Sequence, residues 1–125
     1  MQLLTIPQFS LTNLPDTEDC RRVRARDVRT QAAAIPTEVH TDKRYPHLFG
    51  NGEKLGLLHN KQPVIEYPLN KGSQIWREGP RKPGPGRIIV NRHDRSNPEV
   101  VYHDPTKKIV VNGRTRERFS IAEYR

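Results

Sequence analysis

The chain has 125 residues and a formal net charge of +8, with 22 lysines and arginines against 14 aspartates and glutamates. That length suits one domain with a single core, and an apolar fraction of 33% keeps the core small. Eleven prolines and eight glycines cut the chain into short elements and exclude a helical bundle, while the charge points to a polyanionic partner, nucleic acid before an anionic membrane surface.

Nothing approaches the length of a transmembrane segment. Met1 to Leu14 lacks the basic start and apolar run of a signal peptide. Cys20 is the single cysteine, so no internal disulfide forms, which favours an intracellular setting or a fold that does not depend on oxidation.

Residues 1–24 read as an N-terminal arm or one short edge strand. Their apolar residues (Leu3, Leu4, Ile6, Phe9, Leu11, Leu14) are scattered, and Phe9 and Leu11 alternate with polar neighbours. The cluster Arg21-Arg22-Val23-Arg24-Ala25-Arg26 is either a phosphate contact or a solvated charge run. A single domain is expected over 25–125. Val28, Ala32, Ile35 and Val39 form an amphipathic stripe, with Asp27 as N-cap and Pro36 ending or kinking the helix, so the helix spans 27–35 with 40 as its outer limit.

In an extended Lys43–Glu53 segment, Tyr45 and His47 point the same way. Gly50-Asn51-Gly52 is a turn rich in conformational freedom. Phe49 before it supplies a ring and Glu53 after it a carboxylate. These are the parts a guanine pocket needs, because guanine's Watson–Crick edge presents two N–H donors together. Taken alone, the segment reads as an ordinary turn.

Gln62–Leu69 is a strand bounded by prolines, with Ile65 and Tyr67 on one face and Val64 and Glu66 on the other. A carboxylate at mid-strand must face water or meet cations. Residues 70–86 form a basic loop rich in proline and glycine, with Lys71, Arg77, Arg81, Lys82 and Trp76, the indole serving as a base-stacking surface or a loop anchor. The next strand, Arg87–Asn91, places Arg87 and Ile89 opposite Ile88 and Val90. After a turn at 92–97, Glu99–His103 sets Val101 and His103 against Val100 and Tyr102. A run over 108–111, Asn112-Gly113 as a hairpin turn and a last strand near 119–122 complete the chain. The expected fold is α+β: one N-terminal amphipathic helix packed on a mostly antiparallel, meander-like twisted sheet.

On such a meander Glu66, Arg87 and His103 share one open face, with Tyr45 and His47 entering beside them. A carboxylate base, an imidazolium acid and a guanidinium are the kit for cutting RNA through its own 2′-hydroxyl. Glu66 is expected to raise the pKa of the neighbouring histidines. No metal or cofactor is called for.

The fragments Tyr45-Pro46-His47 with Phe49, Asn51 and Glu53, then Glu66-Tyr67-Pro68, Pro83-Gly84-Pro85-Gly86-Arg87-Ile88-Ile89 and Val100-Val101-Tyr102-His103 together resemble the fungal guanyl-specific ribonucleases and the related sarcin-type ribotoxins. The resemblance covers about residues 25–112. It implies Glu66 as general base, His103 as general acid, His47 and Tyr45 as phosphate contacts, and Arg87 as transition-state stabiliser. It also implies Phe49 stacking on guanine, Asn51 shaping the pocket and Glu53 reading the base edge, with a 2′,3′-cyclic phosphate as product.

Several features depart from that pattern. Those enzymes are secreted and disulfide-bonded, whereas this chain has one cysteine. Gly50 and Gly52 replace larger residues, Asp104-Pro105 follows His103, and the apolar residue across the site is sought among Ile109, Val110 and Val111. The short Glu53–Glu66 segment favours a general ribonuclease over a ribotoxin. The resemblance implies single-stranded RNA as substrate and a monomer, and it leaves open a toxin role with a protective inhibitor or immunity protein. The competing reading is an inactive ribonuclease-like RNA-binding protein. A membrane-surface role lacks a basic amphipathic helix beyond Arg21–Arg29.

Overall fold

The structure, a computed structural model, describes residues 6–125. Leu3 and Leu4 of the expected arm lie outside the described residues. The elements in order are β1 (Gln8–Ser10), β2 (Arg22–Arg24), α1 (Ala25–Ala33), β3 (His47–Leu48), β4 (Val64–Pro68), β5 (Gly86–Asn91), β6 (Asp94–Val111), β7 (Arg114–Ile121) and β8 (Glu123–Tyr124). Strands β3 to β7 form one antiparallel sheet in chain order, a meander, and β2-β1-β8 form a second antiparallel sheet. This is the α+β architecture expected from the sequence. No described helix is long and apolar enough to cross a membrane.

The period-2 alternation of β4, β5 and β6 divides the core. Ile65, Tyr67, Ile88, Val90, Val100 and Tyr102 meet Ala25, Val28, Ala32 and Ile35 of the helical segment in the main core. Val64, Ile89 and Val101 form a smaller cluster with Phe49 on the opposite face. With both faces covered, a register slip of one residue would exchange apolar side chains for Glu66 and Arg87, so the register is strongly specified.

Helix α1 starts two residues before the expected position. Arg24, in extended geometry, occupies the N-cap without a side-chain bond, and Asp27 lies within the first turn. The cap is unnecessary at Ala25, whose N–H donates to the Pro7 carbonyl at 3.0 Å. Asp27 instead faces the positive end of the helix dipole. The helix stops at Ala33, short of Pro36. Buried Gln31 donates to the carbonyls of Asn70 and Gly72 at 2.9 and 2.6 Å and accepts from the Asn70 N–H at 3.0 Å, fixing the start of the basic loop.

Strand β1 lies between β2 and β8, not at an edge. Phe9, Leu11, Leu14, Cys20 and Val23 all enter the main core. Leu11 and Leu69 pack so closely on Gly86 that a Cβ there would meet their carbons at 3.1–3.2 Å. Burial raises the Cys20 thiol pKa, keeping it from the reactive thiolate form.

The expected strands at 99–103 and 108–111 are one strand, β6, whose register with β7 shifts between His103 and Lys108. Its turn is the two-residue Asn112-Gly113, with φ of 51° and 76°, the left-handed pair that matches strand twist. The turn expected over 92–97 is shorter, because Asp94 already pairs with Asn91.

Candidate active site

The second face of the sheet gathers the charged residues. Glu66 on β4 sits between His47 on β3 and Ile89 on β5 in the ladder, and Arg87 lies two residues before Ile89 on β5. Glu66 is only 9% exposed and Arg87 5%, so the carboxylate has found cationic partners instead of water. His47 Nε2 lies 2.7 Å from Glu66 Oε1, and Arg87 Nε lies 3.5 Å from Glu66 Oε2. The other ring nitrogen of His47 is 3.1 Å from the Arg44 carbonyl. Both imidazole nitrogens therefore face oxygen atoms, which fix the ring's orientation.

Tyr45 closes this side. Its ring stacks on His47 at 4.6 Å, and the Arg87 guanidinium lies 5.3 Å from the ring centroid. Behind it Trp76 is buried, edge-on to Tyr45 at 5.5 Å and Tyr67 at 5.8 Å, and its carbonyl accepts from the Tyr67 hydroxyl at 2.5 Å. Of the two readings of Trp76, loop anchor is the one realised. Arg87 is steadied by Nη1, which donates to the carbonyls of Gly84 and Gly86. The Pro-Gly loop thus sets the guanidinium directly.

His103 lies on the same face, across β5 from Glu66, and its ring centroid is 4.3 Å from that of Phe119 on β7. Its pKa is lowered from 6.5, first by burial and next by Arg87; Glu66 and Glu117 pull less strongly the other way. This corrects the expectation that Glu66 would raise it. The carboxylate acts in the expected direction, but the desolvated ring beside a guanidinium loses more than it gains.

The three pocket residues form a separate group. Phe49 is 7% exposed, its ring edge-on to Phe119 at 5.6 Å. Asn51, not the flanking glycines, takes the left-handed conformation, with φ of 51°. Its side chain donates to the Leu55 carbonyl at 2.9 Å and accepts from the Leu55 N–H at 2.7 Å, tying the loop into a compact turn. Glu53 accepts from the Phe119 backbone N–H at 2.9 Å, bringing the loop to the β7 edge beside His103.

Phe119 is not among the residues expected at the site. The apolar candidates Ile109, Val110 and Val111 lie beyond the bulge on the distal hairpin, with Val110 72% exposed. Counting back from the Asn112-Gly113 turn pairs His103 with Ala122, whereas the bulge moves its partner to Phe119. Pro105, which has no N–H for a ladder, is the signal in the sequence that the count breaks.

Residues 13–109, over three quarters of the chain, match the family model described as ribonuclease. The chain belongs to the ribonuclease family. No curated protein and no solved structure matches it. Family membership implies RNA as the substrate and its cleavage as the activity.

Proposed function

We propose that this ribonuclease is a metal-independent endonuclease that cuts single-stranded RNA preferentially after guanosine, by transphosphorylation. The observation that carries the reading is the burial of Glu66 between His47 and Arg87, 2.7 and 3.5 Å from its two oxygens, on the face that bears His103.

Glu66 accepts the proton of the 2′-hydroxyl as its oxygen attacks phosphorus. His103 donates a proton to the departing 5′-oxygen, so the P–O5′ bond breaks as the 2′-O–P bond forms, leaving a 2′,3′-cyclic phosphate and a free 5′-hydroxyl. Arg87, His47 and Tyr45 receive the charge that develops on the phosphoryl oxygens. The cyclic ester opens by the reverse proton transfers, with His103 activating water and Glu66 protonating the 2′-oxygen.

Guanine is read by Glu53, whose carboxylate exchanges the Phe119 N–H for the two donors of the base edge. Asn51 holds the loop in shape, and Phe49 turns out of its contact with Phe119 to stack on the base.

The direct test is to incubate the purified chain with mixed-sequence RNA in EDTA and map cut sites and end groups. Cuts after guanosine that leave 2′,3′-cyclic phosphates, and are lost in His103→Ala, are the expected result. Salt-sensitive binding without cleavage would replace the enzyme with a binding module.

A further inference from the structure

The hairpin beyond His103 is not used by this chemistry. From Lys107 to Arg118 it carries Lys107, Lys108, Arg114, Arg116 and Arg118 against the single carboxylate of Glu117, a net four of the chain's eight positive charges. All five cations are exposed, and none makes an ion pair or side-chain hydrogen bond among the described residues. The tip has little apolar cover, with Val110 72% and Val111 38% exposed. Elsewhere Arg21 meets Asp16 at 3.1 Å and Arg44 meets Asp42 at 2.8 Å, while Arg22, Arg24, Arg29, Arg77, Arg81 and Arg92 are exposed without an ion pair among the described residues, so it is the density of the hairpin's cations and not their lack of partners that sets it apart. The hairpin's charge is left free.

Its arrangement is regular. Arg114, Arg116 and Arg118 alternate along β7 and project from one face, opposite Thr115 and Glu117. At a strand rise of about 3.4 Å per residue, successive guanidinium stems stand roughly 7 Å apart. β7 is the outer strand of the five-stranded sheet, so no further strand covers this row. Cations on an outer strand also deter edge-to-edge pairing, but one or two suffice for that. A stripe of three arginines on an outer strand, with Lys107 and Lys108 on the neighbouring strand and Lys108 across from Glu117, is a track for a polyanion.

The position of the track gives it a polarity. β7 reaches the site at Phe119, packed on His103, and the arginines, one residue out of phase with Phe119, stand on the reverse face of this outer strand, so RNA leaving the site meets them by passing over the β7 edge. His103 is the group that protonates the leaving 5′-oxygen in the proposed mechanism. The nucleotides attached to that oxygen are those 3′ of the cut. We propose that the β6–β7 hairpin is an RNA-binding arm that takes the phosphates of the strand downstream of the scissile bond. The proposal rests on the transphosphorylation reading for its direction, and the charge pattern alone carries the binding.

The test compares the wild-type chain with Arg114→Gln/Arg116→Gln/Arg118→Gln. Three substrates are cleaved: a guanosine-containing dinucleotide, the same step with ten added 3′ nucleotides, and the same step with ten added 5′ nucleotides. The wild type should gain kcat/KM from the 3′ extension, and the variant should lose that gain while cutting the dinucleotide unchanged. Neutralising three single-strand phosphates steepens the log–log salt dependence by about 2, so raising salt fourfold should cost the wild type roughly 20-fold more on the 3′-extended substrate than it costs the variant. A gain that survives in the variant, or that follows the 5′ extension, overturns the proposal. If the wild type cuts none of the three, the mechanism has failed, and anisotropy with a labelled 12-nucleotide RNA still decides the arm: equal salt-sensitive affinity in both proteins overturns it, and weakened affinity in the variant supports it.

Discussion

Asp104 follows His103 in β6 and ties that strand to Asn13 and Ser120, and it offers a sharp test of the fold. It is fully buried, and its carboxylate accepts from Asn13 Nδ2 at 2.8 Å, Ser120 Oγ at 2.6 Å, Thr106 Oγ1 at 2.6 Å and the Thr106 N–H at 2.9 Å. Burial alone would raise its pKa, but these four donors outweigh it and hold the carboxyl well below the ordinary 3.8. Asp104→Ala loses all four bonds. Because Asn13 and Thr106 are exposed and can turn to water, we expect a cost of about 3–4 kcal/mol, not the sum of four charged hydrogen bonds. Asp104→Asn keeps the Thr106 bonds through one oxygen and asks the Ser120 hydroxyl and Asn13 amide to reorient, at about 1–2 kcal/mol. For a chain of this length each kcal/mol is worth roughly 4 °C in Tm. Thermal melts at pH 7 should therefore fall by roughly 12–16 °C for alanine and roughly 4–8 °C for asparagine. A depressed folded pKa contributes stability that is complete above 3.8 and is lost as pH falls below it, at about 1.4 kcal/mol per unit. The wild type and Asp104→Asn should accordingly converge near about pH 2.5–3. An asparagine variant as stable as the wild type at pH 7, or a gap that does not change with pH, would refute the account.

The remaining predictions concern the site. Glu66→Gln and His103→Ala should each lower kcat by about 10²–10⁴-fold with RNA binding retained; full activity in both would show that the reaction centre lies elsewhere. Glu53→Ala should reduce the ratio of kcat/KM on guanosine to adenosine dinucleotides more than it reduces turnover, and an unchanged ratio would remove Glu53 from base recognition. Since burial and Arg87 lower the His103 pKa, its acid form is lost as pH rises through a value below 6.5, so kcat/KM should fall on that side. Phe119→Ala should admit water to the ring and move this limb upward, and a limb already at or above 6.5 in the wild type would contradict the burial argument.

The parity of the strands is legible in the sequence because β4, β5 and β6 are covered on both faces, so every residue's side is dictated by what it must pack against. A charged residue within an apolar alternation, such as Glu66 or Arg87, is thereby assigned its face by the alternation alone. The N-terminal segment is not legible in the same way. Phe9, Leu11 and Leu14 are irregularly spaced, and their partners lie at the far end of the chain: β1 pairs with β8, and Asn13 reaches Asp104. No local pattern records contacts of that separation. The direction of the His103 shift is also beyond reach of the sequence, since it is decided by burial and not by the identity of the nearest charge. Phe119 is hidden by the bulge at Asp104-Pro105.

Two glutamates on the face that bears His103 show why burial alone does not mark the base of the proposed mechanism. Glu66 and Glu99 lie in one cross-strand row, His47, Glu66, Ile89, Glu99, and both are nearly inaccessible, at 9% and 6%. Glu99 is filled by neutral donors: the backbone N–H groups of Leu58 and Asn60 and the Asn60 amide at 2.7 Å. Its lone pairs are committed to stitching the 57–61 segment onto the sheet. Among the described residues no backbone N–H reaches the carboxylate of Glu66, which meets His47 and Arg87, two side chains that in the proposed mechanism transfer their interaction to a phosphate while the carboxylate takes a proton. Glu99→Gln should therefore cost about 2 kcal/mol of stability and leave kcat within a few-fold of wild type at temperatures where the protein is folded. Glu66→Gln should do the reverse, because its loss falls on the reaction. Unfolding curves and single-turnover rates on the same preparations separate the two effects. Equal losses of turnover in both variants would mean that the row acts as one network, and that the division between the structural and the reacting carboxylate is wrong.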